Sequence, residues 1–266
     1  MKLPFLDKES PKPLLGLCVM YPAPGIVERI GPDWDWLWID AQHGDLDWRD
    51  AVDLVRASQL IQRPGLVRVP SQDSTWIGKV LDSGAAGVIV PLVESVAEAQ
   101  AMVRAAKFPP LGNRSYGGRR IIDLQGRGYY KTADQDTALI LQVESSAACS
   151  IAEELLALEG VDGLFLGPDD LLIRDGFDVD SPKNMETIGR QMKVVADACR
   201  KVEKWSVCVG VSDSARAMAR DFGFGLVVGG GDVPFLASGS KAEAEKMRGY
   251  FAMDSSPVPP TPGILY

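Results

Sequence analysis

Positive charge, histidine, paired cysteines and long apolar runs are all scarce in this chain of 266 residues, and each shortage closes a class of function. The formal net charge is -8. Nucleic-acid binding depends on neutralising phosphates with Lys and Arg, so a nucleic-acid partner is excluded. No apolar run approaches the ~20 residues needed to span a bilayer. Charge also interrupts Met1-Lys-Leu-Pro-Phe-Leu-Asp-Lys-Glu9 too early for a secretory leader, so the expectation is of a protein neither exported nor embedded. Cys18, Cys149, Cys199 and Cys208 contain no Cys-x-x-Cys pair. A chain of this length needs no disulfide staples, and they read as reduced, mostly buried thiols in a cytoplasmic protein. The segment after the first apolar run, Tyr21-Pro-Ala-Pro-Gly25, is no dinucleotide fingerprint, so no nucleotide cofactor is expected.

What is present is an ordinary globular composition, 46% hydrophobic and 24% charged, with ample material for one large core. Short apolar, β-branched runs alternate with longer amphipathic ones, the pattern of a parallel sheet with helical crossovers. Strands are predicted at 14–21, 36–41, 65–69, 87–93, 138–143, 163–167, 206–210 and 225–228. Helices are predicted at 48–60, 75–83, 96–107, 148–158, 185–202, 215–222 and 242–251. Asp47, Ser74, Ser95 and Ser214 stand where helices should be capped, and Gly84, Gly160 and Gly223 where they should stop. This rhythm over about 250 residues predicts an α/β fold of the (β/α)8 TIM-barrel type. One domain is expected over residues 1–254, followed by a proline-rich extended tail at 255–266. The stretch 109–136 breaks the rhythm as a long insertion, and such insertions are often functional.

In a barrel, catalytic groups gather at the C-terminal ends of the strands. The second predicted strand ends in Asp40 and His43, the third presents Arg68, the fifth ends in Glu144, and the sixth runs into Gly167-Pro-Asp-Asp170. Each has a structural alternative: a satisfied or surface imidazole for His43, a rim salt bridge for Arg68, an N-cap for Glu144, and a helix-starting pair for Asp169 and Asp170. Together they make a base, a cation and carboxylates converging on one mouth. Carboxylates without imidazole or thiolate partners form a hard oxygen site, suited to Mg²⁺ or Mn²⁺ with water and a chelating substrate. A 2-oxoacid is such a chelator. A metal on its keto oxygen, helped by Arg68, would stabilise an enolate. His43, oriented through Asp40, is then the base. The backbone N–H groups of Asp169 and Asp170 are placed to hold the substrate carboxylate, and Pro168 fixes the turn. A Schiff-base mechanism needs a lysine in the mouth, and no predicted strand end carries one: Lys79 and Lys107 fall in helical patterns and Lys131 in the insertion.

At these residues the chain resembles the class II pyruvate aldolases of the HpcH/HpaI aldolase/citrate lyase β-subunit family, in the phosphoenolpyruvate/pyruvate barrel superfamily. The likeness is carried by Trp36-Leu-Trp-Ile-Asp-Ala-Gln-His-Gly44, Leu66-Val-Arg-Val-Pro70, Val80-Leu-Asp-Ser-Gly84 with Gly87-Val-Ile-Val-Pro91, Lys107-Phe-Pro-Pro-Leu-Gly-Asn-Arg114, Leu141-Gln-Val-Glu-Ser145 and Val161-Asp-Gly-Leu-Phe-Leu-Gly-Pro-Asp-Asp-Leu171. The resemblance implies His43 with Asp40 as an acid–base dyad, Arg68 on the pyruvyl oxygen, Gln142 lining the pocket, and Glu144 and Asp170 as metal ligands. Asp82 matches a family position near the subunit interface and is carried over as substrate-binding.

It further implies reversible cleavage of a 4-hydroxy-2-oxoacid into pyruvate and an aldehyde, dependence on Mg²⁺, Mn²⁺ or Co²⁺, and a hexamer, a trimer of dimers, with the last helix exchanged between subunits. Three positions depart from the family pattern. Gln42 stands where many members have glutamate, and Gly117-Gly-Arg-Arg120 differs from the usual Gly-rich loop; both are expected where the aldehyde enters. Asp169, in place of alanine, adds a charge beside the carboxylate-binding turn, which is expected either to loosen pyruvate binding or to select another donor such as hydroxypyruvate. The alternatives are a coenzyme A thioester lyase of the citramalyl or malyl type, an oxaloacetate decarboxylase or synthase, and a non-catalytic barrel.

Overall fold

The computed structural model describes residues 12–181 and 184–251, so the tail predicted at 255–266 lies outside the described residues. Eight strands form a closed parallel barrel: β1 (Leu14–Val19), β2 (Trp36–Asp40), β3 (Gly65–Arg68), β4 (Gly87–Val90), β5 (Ala138–Val143), β6 (Gly163–Leu166), β7 (Trp205–Val209) and β8 (Leu226–Gly231). Each pairs with the next, and β8 pairs back to β1. These runs are apolar throughout because both faces are covered, as the six buried residues of β5 illustrate. Alternate residues face inward. Trp36, Trp38, Leu66, Ile89, Ile140, Phe165 and Val207 fill the barrel, while Leu37, Ile39, Val67, Val88, Leu139 and Leu141 pack beneath the helices.

The helices are α1 (Pro24–Ile30), α2 (Trp48–Leu60), α3 (Ser74–Asp82), α4 (Val96–Ala106), α5 (Arg119–Gln125), α6 (Tyr130–Asp136), α7 (Ser146–Ser150), α8 (Ala152–Ala157), α9 (Pro168–Arg174), α10 (Asn184–Lys201), α11 (Asp213–Phe222) and α12 (Asp232–Phe251). Asp47 caps α2 in a reciprocal box with Asp50, and Ser95 caps α4 through the Glu98 N–H. The caps of α3 and α11 are Asp73 and Ser212 instead of the predicted Ser74 and Ser214, since theirs are the oxygens that accept from Thr75 and Ala215. The helix predicted at 148–158 is two, parted at Ile151. The sequence reading missed α1, whose Pro24 sits harmlessly in its first turn. It also began α12 too late, at 242. Pro234 is tolerated near that helix start, and the fully buried Asp232 carboxylate anchors it by accepting N–H bonds from Met20, Tyr21 and Val233.

The insertion follows α4, which returns the chain to the end of the barrel where strands begin. There Lys107, 1% exposed, donates to the carbonyls of Asp134 and Thr137 and to the Asp162 carboxylate. Arg120 donates to Ser83 O and Gln59, tying the insertion to the ends of α2 and α3. Within one chain, Gly117-Gly-Arg-Arg120 therefore lies at the end opposite its own barrel's mouth. Among the described residues no helix is long and apolar enough to cross a membrane.

Candidate active site

Cross-strand register makes the first element of the site. Asp40 and Arg68 are the terminal residues of β2 and β3 and are paired neighbours there. Arg68 donates from Nε to Asp40 Oδ1 at 2.8 Å and from Nη2 to Oδ2 at 2.6 Å, with both side chains buried. This two-point geometry fixes the guanidinium plane as well as its position. Asp40 Oδ1 also accepts the backbone N–H groups of Gln42, at 3.1 Å, and His43, at 3.3 Å. The predicted dyad thus takes another form. Asp40 holds the loop that carries His43, and its carboxylate faces the arginine and the loop backbone instead of the imidazole. Gly44 closes the turn, because a Cβ there would collide with the Asp40 and Met20 carbonyl oxygens. The His43 side chain is left exposed at the mouth.

The second element comes from β5 and the residue following it. Gln142 Oε1 accepts from Arg68 Nη1 at 3.4 Å, and its Nε2 donates to Glu144 Oε1 at 2.7 Å. The other carboxylate oxygen of Glu144 accepts the Leu92 N–H at 2.7 Å. Leu92 makes that bond from the left-handed region, φ 60°, which costs a branched side chain ~1–2 kcal/mol. Local strain is being spent on holding one carboxylate. Glu144 is 1% exposed, and its pKa is pushed up to about 7 by burial first, with the nearby Asp170 adding to it and the Leu92 N–H and Arg68 opposing.

The third element is the turn from β6 into α9. A Cβ at Gly167 would lie 2.5 Å from Glu144 Oε1 and 2.7 Å from Gln142 Nε2, so only glycine leaves room for both polar groups. Pro168 opens α9, and Asp169 and Asp170 occupy its first turn. Burial and the neighbouring Asp170 both raise Asp169. The structure therefore brings His43, Asp40, Arg68, Gln142, Glu144, Gly167, Pro168, Asp169 and Asp170 to one end of the barrel. Asp82 is not among them. It ends α3 at the opposite end and pairs with Arg114 at 2.7 Å, so its own barrel mouth is out of its reach.

Two contributors were not read from the sequence. Leu92 acts through its main chain, which no side-chain pattern reports. Trp38 lies two residues before Asp40 on the same inward face, and period-two counting back from Asp40 would have found it. Chemically, the mouth offers a fixed guanidinium, a carboxylate pair and an exposed imidazole. Of the five N–H donors of an arginine, three of those on Arg68 are committed among the described residues, to Asp40 and Gln142, which leaves two there for a substrate oxygen.

The model of the HpcH/HpaI aldolase/citrate lyase family matches residues 26–222. The chain belongs to that family. It is 32% identical over 219 residues to a hydroxypyruvate/pyruvate aldolase of Roseobacter denitrificans, covering 80% of this chain and 84% of the relative. It is 36% identical over 160 residues to a 2-dehydro-3,6-dideoxy-6-sulfogluconate aldolase of Pseudomonas putida; that match covers 59% of this chain and spans 63% of the relative's length, less than two thirds. Among solved structures, a family member from Burkholderia cenocepacia superposes with a TM-score of 0.81 at 28% identity, covering 91% of this chain and 96% of that one.

Proposed function

We propose that this protein is a class II aldolase, cleaving a 4-hydroxy-2-oxoacid reversibly into pyruvate, or hydroxypyruvate, and an aldehyde. The observation that carries the reading is the hydrogen-bonded run Asp40–Arg68–Gln142–Glu144, which sets a rigid cation beside a carboxylate pair at the strand ends. Relatives above 30% identity that bear aldolase names support it.

Glu144 and Asp170 would hold a divalent metal, Mg²⁺, Mn²⁺ or Co²⁺. Both donors are hard carboxylates, and the upward pressure on Glu144 from burial and from Asp170 is what a cation relieves. Among the described residues no group of three His, Cys, Asp or Glu forms a fuller cage, so water and substrate oxygens would complete the coordination. An ion held there would supply Lewis acidity toward a substrate keto group. The rest is done by the chain. Arg68 turns its two free N–H groups to the keto oxygen, where negative charge grows as the C3–C4 bond breaks. His43 takes the C4 hydroxyl proton, the bond's electron pair passes to C2 and C3 as an enolate, and the aldehyde leaves. Return of a proton to C3 completes pyruvate. The N–H groups at the start of α9 receive the substrate carboxylate.

The chain works as an oligomer. Of its described residues, α12 buries only Asp232 on its own barrel and exposes Leu236, Met247, Tyr250 and Phe251, which supports a last helix packed on a neighbouring subunit of a hexamer. Buried free thiols support a reducing, cytoplasmic setting. The test is pyruvate release from 4-hydroxy-2-oxovalerate and longer homologues, followed through reduction to lactate. Release that stops with EDTA and returns with Mg²⁺ or Mn²⁺ is expected; no release from any 4-hydroxy-2-oxoacid would overturn the proposal.

A further inference from the structure

Asp40 and Gln142 hold the Arg68 guanidinium by its edges, and neither contact supports its face. Beneath it stands Trp38, whose ring centre is 4.6 Å from Arg68 Cζ. The indole is 8% exposed and braced by Phe165 of β6 in an edge-on contact with ring centroids 5.1 Å apart. Its Nε1 is buried and has no hydrogen-bond partner among the described residues. A buried indole N–H normally finds an acceptor. Here the ring keeps an orientation that serves the guanidinium and leaves its own N–H unmade.

We propose that Trp38 is a positioning residue for Arg68: its face supports the guanidinium from inside the barrel and keeps the two uncommitted N–H groups aimed at the substrate's oxygens. A flat, weakly hydrated cation over an aromatic face in a dry site is the arrangement in which this attraction is strongest. The inference rests on the aldolase reading for its consequence in catalysis, and on geometry alone for the platform itself.

The experiment measures pyruvate methyl-proton exchange, as kcat and KM, in wild type, W38L, W38F, R68Q and W38L/R68Q, with circular dichroism confirming the fold and W38M replacing W38L if leucine is not tolerated. W38L should lower kcat/KM by about thirtyfold, the size of a desolvated cation–π contact. W38F should retain most of the activity, because phenylalanine still offers a face to the guanidinium. In the R68Q background W38L should cost less than about twofold; an equal loss in both backgrounds would mean a role independent of Arg68 and overturn the proposal. A readout free of turnover is the Arg68 Nε–H resonance, assigned by its absence from R68Q. It should shift when the ring current is removed in W38L and much less in W38F. No shift in W38L refutes the platform whatever the activity. A shift in a wild type inert toward pyruvate would refute the aldolase reading and leave the platform standing.

Discussion

Asp40→Ala removes the residue on which the mouth is built. Its carboxylate makes two bonds to a guanidinium that is 5% exposed and two more to the backbone of the His43 loop. Truncation leaves a buried cation without its counter-charge, and breaking such a pair from one side costs ~3–5 kcal/mol. That is a large part of the ~5–15 kcal/mol that holds a typical native protein together. Asp40→Asn keeps an acceptor for the loop and should cost less. Arg68→Met added to Asp40→Ala removes the orphaned charge and should recover roughly 2 kcal/mol or more. Urea unfolding at one fixed protomer concentration measures all three, since assembly would otherwise shift the apparent stability. A loss below about 1 kcal/mol for Asp40→Ala, or a double variant no more stable than the single one, would refute the argument that this pair is buried and mutually dependent.

With His43 as the proposed base, His43→Ala should lower kcat by ~10²–10⁴ with little change in metal or pyruvate affinity; unchanged turnover would remove the exposed imidazole from that role. Gly167→Ala should fold but lose activity, since its Cβ would stand 2.5 Å from Glu144 Oε1 and must displace that carboxylate; a variant with normal turnover and metal affinity would contradict the packing argument. Thiol reactivity gives a pH test. Burial pushes Cys149 and Cys199 up to about 12, and raises Cys18 and Cys208 well above the ordinary range. Because thiolate is the reactive form, iodoacetamide at pH 8 should leave the native protein unlabelled and modify the cysteines after unfolding. A raised thiol pKa favours folding below the unfolded value of about 8.5, and that contribution is lost as pH climbs toward the folded values, so alkaline solution should destabilise the protein. Fast native labelling would contradict the burial.

The barrel was legible because its strands, covered on both faces, are short apolar runs, and because residues such as Asp47 and Ser95 mark helix starts by a local hydrogen bond. Where a local signal was ambiguous, the reading slipped. The helix at 24–30 was not read and the last one was begun at 242 instead of 232, and the cap of α3 was placed at Ser74, one residue after the Asp73 whose oxygen reaches the N–H. The strand-end position of Arg68 and Glu144 could be counted from the sequence. Their partners could not. That Asp40 faces Arg68 and not the imidazole, that Leu92 donates to Glu144, and that the insertion is tied to the ends of α2 and α3 are facts of register and topology between segments remote in sequence.

Pyruvate methyl-proton exchange in D₂O, followed by NMR with EDTA and then with Mg²⁺ or Mn²⁺, tests the central claim without knowledge of the aldehyde. The mouth formed by Arg68, Glu144 and Asp170 should enolise pyruvate, so the methyl signal should decay with metal and persist with EDTA. A methyl signal that persists under every metal tried would contradict the assignment of this site to pyruvate enolate chemistry.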